Sequence, residues 1–478
     1  MPYNSVAKRN VDYRVLNESQ CADIVNSAMR ILARTGCNVN EEEGLQLLRD
    51  AGCSVDGNLV KIPVSLTEWA IASAPSNITI YNREGEPAMN LSPWHTHFGP
   101  AITATKTIDV ETGEARASVT QDAVNAALVM DALPNYSYVS ALNSASDAPI
   151  GYDDLVELHA VLKNSTKPVL YWSHGKENLA QIFEMFEAIA GGEDAYRDKP
   201  FGTNLVCPID PLVHTEEGVS QLIYMARKGS PSVYIPGIAF GLSGPITLAG
   251  GIAVGIADTL AGLVIAQLAR KGAPFIVAKF NDNFNMRTSN VSFSRPEQLV
   301  AQCATSDVFR YIGLPFCSNF GSSDSGTFDQ LSSFDKTMQV YSAYLSGTNM
   351  AFGSGSFECG TLTRLTDLVF CNEVIDFINV MMGGVEVSDY TLAEEDIEEV
   401  GPGDNFLTSE LTVEHMRDFW DSELFRPRTL GEVADHSTPT IDERLDARVK
   451  EILAAGPRKP LPASVAEKLD KILADAIG

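Results

Sequence analysis

From about residue 96 onward, short apolar runs alternate with helix-length segments, the rhythm of βα units wrapped around a parallel sheet. HFGPAITA, near 98–104, reads as a first strand, and a helix follows from Thr120 to Leu133, with Thr120 as candidate N-cap and Asp122 in the first turn. YSYVSAL is a second strand and DDLVELHAVLKN its helix; PVLYWSH is a third, with a helix from Asn178 to Ala190. TNLVCP and a helix from Glu216 to Lys228 make the fourth unit; SVYIPG, a Gly-rich loop and a long helix ending near Lys271 make the fifth. FIVAKF leads into a helix from Pro296 to Ile312, PFCSNF into one from Gln330 to Ser346, and NMAFGS into one from Leu365 to Met382.

Eight such units over about 290 residues predict an α/β chain folded as a (β/α)8 TIM barrel, spanning 96–384. An open doubly wound sheet is the alternative. It would normally have fewer units and a phosphate-binding glycine fingerprint after its first strand, where this chain has the turn-rich, acidic TKTIDVETGE. Residues 1–95 read as an N-terminal extension: amphipathic helices over Asn17–Thr35 and Glu41–Ala51, the hairpin-like SVDGNLVKIP, and a short helix at 65–73. Residues 385–478 read as a C-terminal extension, acidic at Glu394–Glu399, helical at 412–420, then Pro-rich, with a last helix near 464–476. Both extensions are expected to pack on the barrel.

Composition narrows the class rather than the fold. With 45% hydrophobic and 20% charged residues the chain is ordinary for a globular protein. A net charge of −27 opposes binding to nucleic acid or to an anionic membrane and mildly favours a cationic ligand. The opening MPYNSVAKRNVDYRV has no apolar run of a secretory signal. The most apolar stretch, Gly237–Leu268, is interrupted by seven glycines and Asp258 and reads as a loop and core helix rather than a membrane span. Eight cysteines are scattered without a CxxC pair, which suits a cytoplasmic enzyme with free thiols.

Chemistry in such a barrel belongs at the C-terminal ends of the strands. Those ends carry Trp172 and His174 (third), Cys207 and Asp210 (fourth), and Lys279, Phe280, Asn281 and Asp282 (sixth). Phe320 and Asp324 follow the seventh strand, and Phe357 and Glu358 the eighth. The set is rich in aromatic rings and poor in acid–base pairs. Each well-placed, desolvated ring attracts a quaternary ammonium by roughly 2 kcal/mol, so Trp172, Phe280, Phe320 and Phe357 are candidate walls for one; packing at the rim is the competing reading. Lys279 or Arg287 can hold a carboxylate, His174 can hydrogen-bond one, and Asp324 and Glu358 can face an ammonium; structural roles fit each of them equally. His95 and His97, two apart, would share one strand face as metal ligands can, without a visible third partner; with Asp210 they are what a metal-dependent lyase or hydrolase would use. No catalytic residue is assigned.

Several stretches carry a resemblance beyond these patterns: TIDVETGEARASVTQDAVNAALVMDALPN, SGPITLAGGIAVGIADTLAGLVIAQL, GSSDSGTFDQ, GTNMAFGSGSFECG, NEVI, and GPGDNFLTSELTVEHMR with the later ERLDARVKEIL. In that order they resemble the trimethylamine methyltransferase family, over most of the chain. The resemblance implies a (β/α)8 barrel and methyl transfer from a methylated amine to the cobalt of a corrinoid (cobalamin). A cognate corrinoid protein would supply that group, with none bound tightly by this chain, which shows no DxHxxG pattern. A homo-oligomer is implied as well. The family's founding members carry a pyrrolysine; this chain has ordinary residues throughout, including Ser322–Gln330 where the equivalent position is expected. It therefore resembles the pyrrolysine-free branch, which implies a small quaternary amine such as glycine betaine, proline betaine or carnitine. A quaternary donor leaves as a neutral amine and needs no general acid. Two or three rings suit it better than a complete cage, which would hold the charged ground state too well. A betaine-type osmolyte-binding protein would use the same rings without chemistry, but such proteins usually carry an export signal and two lobes.

Overall fold

In the computed structural model, which describes residues 13–478, the barrel assembles as the strand pattern predicts. Seven parallel strands run in the order His97–Pro100, Met350–Ser354, Phe316–Asn319, Phe275–Ala278, Ser232–Tyr234, Gly202–Val206 and Val169–Tyr171. The eighth position is held by residues 136–139, which make isolated bridges rather than a regular strand: Phe98 with Tyr136 on one side, Val139 with Val169 on the other. Two backbone bonds close the ring there, Ser137 N to Phe98 O at 2.9 Å and Leu170 N to Val139 O at 2.8 Å. Tyr138 lies across Gly99, where a Cβ would come within 2.0 Å of its ring, and its hydroxyl donates to Ala351 O on the last strand. A side chain at position 99 would push the first two strands apart, so this glycine is a close-approach residue.

The helices after the strands are Thr120–Ala132, Asp153–Asn164, Lys176–Ala190, Glu216–Lys228, Leu248–Ala269, Pro296–Ile312, Gln330–Ser346 and Leu365–Met382. The first begins at Thr120 itself, with Val119 as the cap residue and Asp122 accepting from Val119 N. Leu248–Ala269 is apolar on every side, with Asp258 buried in its middle. By length and composition it is the one helix among the described residues fit to cross a membrane, yet most of it is buried inside the protein. Its inner side meets Phe275 and Val277, and its outer side is covered by N-terminal helices Glu18–Arg34, Glu42–Asp50 and Val64–Ser73. An all-round apolar helix needs cover on both sides, and the N-terminal extension provides the outer one.

Loops above the strands are more ordered than the sequence suggests. TKTIDVETGE is part of a β-hairpin, Lys106–Ile108 with Ala115–Ala117, which joins Ser356–Phe357 and Leu362–Thr363 in a four-stranded sheet. The Gly-rich loop starts as strand Gly237–Phe240, paired with Phe280–Asn285 and then Asn290–Ser292. These two sheets stand on the C-terminal face as walls around the mouth. The opposite face is covered by the hairpin Ile78–Tyr81 and Pro87–Leu91. In the C-terminal extension, the helix expected at 412–420 is Glu410–His415, and the stretch read as Pro-rich contains a 15-residue helix, Ile441–Ala455.

Candidate functional site

Strand alternation decides what enters the mouth. Ile276 and Ala278 belong to the core inside the barrel, Phe275 and Val277 to the layer under the fifth helix. Lys279 continues the outer series: its stem lies against Gly255 of that helix, where a Cβ would sit 2.1 Å from Cε. The ammonium is fully buried, bonds Asn281 Oδ1, and lies 5.4 Å from the centre of the Phe240 ring. Burial lowers its pKa to about 7, although Asp282, Asp210 and Asp258 pull the other way. Lys279 thus sits behind the strand, closed off from solvent and serving Asp210, Asp258 and Asp282 as their buried counter-charge. Phe280 continues the inner series, half-buried, with its ring 5.3 Å from that of Phe352.

Trp172 is also half-buried, packed on the same core and edge-on against His174, ring centres 4.7 Å apart. Its indole N–H donates to Glu157 Oε2 at 3.1 Å, and Glu157 Oε1 accepts from Ala145 N at 2.8 Å. Burial outweighs both donors and raises the Glu157 carboxyl to about 8. His174 turns away from the mouth: Nε2 bonds Asp153 at 2.6 Å, and its backbone N donates to Asp154. Phe320 is fully buried. Phe357 is too, and the Lys336 ammonium lies 3.7 Å from the centre of its ring while bonding Asp367 at 2.6 Å. That ring already has its cation. Asp324 accepts from Phe293 N at 2.7 Å and bonds Ser292, tying the seventh-strand loop to the wall sheet. Glu358 is exposed beside Gly326. Of the four predicted aromatic walls, Trp172 and Phe280 are left half-buried, whereas Phe320 and Phe357 are closed into the core. Arg287 lies in the exposed turn between two wall strands.

The expectation of a site poor in acid–base groups is corrected by carboxyls from three elements. Asp210, after the fourth strand, accepts from Gly237 N at 2.7 Å. A Cβ on Gly237 would lie 3.7 Å from Asp282 Oδ2 and 3.9 Å from Asp210 Oδ2, so the two carboxyls converge over that glycine. Asp258 reaches toward Asp210 from the fifth helix and accepts from Leu212 N at 2.8 Å. Burial and the neighbouring Asp210 charge push Asp258 well above the carboxylate range; it holds the proton that the two share. Burial raises Asp282 to about 7, with Lys279 opposing. Apart from the proton that Asp210 and Asp258 share, Asp210 Oδ1, Asp258 Oδ2 and Asp282 Oδ1 are buried without a hydrogen-bond partner among the described residues. Behind them His214, kept neutral by burial, bonds the Tyr234 hydroxyl at 2.5 Å. Cys207 is solvent-exposed, yet the protein packed around its thiol and the nearby Asp210 charge push it up to about 12. Sequence reasoning passed over Asp258 and Glu157 because each lies within a helix, away from any strand end.

The paired histidines are not a metal site at this mouth. His97 opens the first strand, so it lies at the N-terminal end of the barrel, where its ring bonds Ser137 and Asn90; His95 bonds Ser92 Oγ. Asp210 lies beyond the opposite end of the strands. The one three-residue group of metal-ligating type among the described residues, Asp153, Asp154 and His174, is already bonded within itself and to Asn178.

Comparison with known proteins agrees with this architecture. The model of the family described as trimethylamine methyltransferase matches residues 1–475. The chain is 27% identical over 455 residues to a trimethylamine methyltransferase of Desulfitobacterium hafniense (strain DSM 10664 / DCB-2), covering 94% of this chain and 91% of that one. It is 27% identical over 465 residues to a glycine betaine methyltransferase of Desulfitobacterium hafniense (strain Y51), covering 97% of each. Among solved structures, the monomethylamine methyltransferase of Methanosarcina barkeri superposes with a TM-score of 0.52 at 11% identity, over 95% of this chain and 90% of that one. That likeness is one of fold.

Proposed function

Since this chain belongs to the trimethylamine methyltransferase family, we propose that it moves a methyl group from a small quaternary amine to the Co(I) of a corrinoid carried by a separate protein. The observation that supports a quaternary donor is the pair of strand-end rings left half-buried rather than closed into the core, Trp172 and Phe280. Aromatic faces attract a quaternary ammonium, which has no hydrogen to donate and so needs no acceptor placed for it. Transfer breaks a C–N bond and forms a Co–C bond; the C–N electron pair leaves on nitrogen as a neutral tertiary amine, so no proton has to be delivered.

The chain's own contribution is placement. Trp172 is held by its bond to Glu157, and Phe280 by its contact with Phe352, so both rings are fixed before substrate arrives. The wall sheets limit water around the cation and leave the top of the barrel as the approach for the methyl acceptor. The corrinoid enters as a substrate: His214 is buried against Tyr234 and His174 is engaged by Asp153, so neither is free to take a cobalt.

Methylation of cob(I)alamin, followed by its visible spectrum with glycine betaine, proline betaine, carnitine, choline and trimethylamine in turn, tests the proposal. Methylcobalamin is expected with a quaternary amine and not with trimethylamine. Binding of a quaternary amine with no transfer, even to a reduced cognate corrinoid protein, would favour a binding protein instead.

A further inference from the structure

The seventh barrel helix, Gln330–Ser346, has its polarity reversed. An outer helix of a barrel normally turns apolar residues to the strands and charges to water. Here the two charged residues, Asp335 and Lys336, are buried together with Gln339. Lys336 bonds Asp367 at 2.6 Å, Asp335 accepts from Ser323, and Gln339 accepts from Gly321 N. The solvent side carries Leu331, Phe334 and Met338, at the three- and four-residue spacing of one face, and no charged side chain; Phe334 is 62% exposed. Phe377, Val380 and Met381 extend that face onto the eighth helix, Leu365–Met382. The groove between the two helices, about 590 Å³, is lined by Met338, Phe377 and Met381 among others, without a charged residue. We infer that this face is where two copies of the chain meet.

Size and charge both point to a second copy as the occupant. Six side chains about half exposed present on the order of 500 Å² of apolar surface, as much as a monomer usually leaves uncovered in one patch. The arm that follows the eighth helix adds to it. From 383 to 444 no side chain is buried, and Phe419, 84% exposed, adjoins Trp420, whose ring lies 5.3 Å from that of Phe377. Together they reach the ~800 Å² that each partner buries in an interface of standard size. Over 385–440 the arm has fifteen acidic residues against three basic, in a chain of net charge −27. A basic partner would be drawn to those carboxylates and not to a face that has none. A second copy brings the same charge-free face, so a two-fold contact buries apolar surface on both sides without desolvating a carboxylate. The acidic arms of the two chains flank that contact and repel across it, an unfavourable effect that salt screens.

Sedimentation velocity of the whole chain at micromolar concentration tests this. The expected species is a dimer, or an assembly of dimers, rather than the 51.7 kDa of one chain. Association should tighten between about 0.05 and about 0.5 M NaCl as the arms are screened. Phe334→Glu and, separately, Met338→Lys each set a charge in the face and should weaken association by ~30-fold or more. Both positions are exposed, so far-UV circular dichroism and Tm should stay those of the parent chain. Ile150→Glu, at a fully exposed position after the second strand, should leave the mass unchanged. A chain that sediments at 51.7 kDa throughout, or an assembly whose mass is unchanged in both folded variants, would overturn the inference. So would association that weakens as salt rises, which would assign the contact to charge pairs. A monomer that floats with phosphatidylcholine vesicles would equally overturn it and assign the face to a lipid surface.

Discussion

At the residue scale, the aromatic side chains divide by what already touches them. Phe280 is half-buried at the mouth, whereas Phe357 is fully buried with Lys336 over its face. Phe280→Ala is therefore expected to raise the KM for the amine about tenfold or more, the loss of one cation–ring contact, while stability falls by only about 1 kcal/mol. Phe357→Ala should do the reverse: a cavity beside the Lys336–Asp367 pair costs about 3–5 kcal/mol in denaturant unfolding, with turnover per folded molecule little changed. Glu157 makes a prediction in pH. Its folded carboxyl titrates at about 8 against an ordinary 4.5, so between those values the unfolded chain ionises while the folded one stays protonated. Folding stability from this group is complete below 4.5 and is lost as pH rises toward 8. Glu157→Gln should remove a downward slope of up to about 1.4 kcal/mol per pH unit. The slope, read from urea melts across that range, separates this effect from any constant offset caused by the changed acceptor for Ala145 N and Trp172.

At the element scale, the fifth helix sets the geometry behind the mouth through its glycines. A Cβ on Gly262 would lie 2.5 Å from the Tyr234 ring, so Gly262→Ala should cost about 1–3 kcal/mol by thermal unfolding as strand and helix separate. All eight barrel helices were legible in the sequence because an amphipathic or uniformly apolar run, bounded by a cap or glycine, is a local signal. The wall strands were not: Gly237–Phe240 is a strand only because Phe280–Asn285 comes alongside it from the next unit, and that pairing is written in no local period. The site divides in the same way. Strand ends named Trp172, Phe280, Asp210 and Asp282, but not which of them face inward. A shift of one residue exchanges the two sides, and it put Lys279 behind the strand and Phe280 in front of it. Asp258 and Glu157 reach the site from helices across tertiary distances that no spacing in the chain reveals.

At the scale of the whole molecule, the weakest part of the ring is where residues 136–139 close it with bridges instead of a full ladder. The C-terminal extension lies over that seam. Ile441–Ala455 packs on the first and eighth barrel helices, Thr120–Ala132 and Leu365–Met382, and Ala463–Ile477 on the second and third, Asp153–Asn164 and Lys176–Ala190. Leu445, Val449, Ile452 and Leu469 are buried in the barrel's own core cluster, and Asp446 bonds Thr366 while Asp470 bonds Lys163 and His159. The two helices thus brace the neighbours of the irregular strand on both sides. Removing residues 441–478 would expose the apolar sides of the first and eighth helices and leave the bridges to hold the ring alone. Amide hydrogen exchange should then rise first at 136–143 and at the Asp153–Asn164 helix, while Gly202–Val206, Ser232–Tyr234 and Phe275–Ala278 on the far side of the ring remain protected. Because Glu157 lies on that second helix and holds Trp172, the same deletion should lower amine affinity before it unfolds the barrel. Uniform loss of protection across all strands at once would mean instead that the ring opens as one cooperative unit, and that the seam is no weaker than the rest.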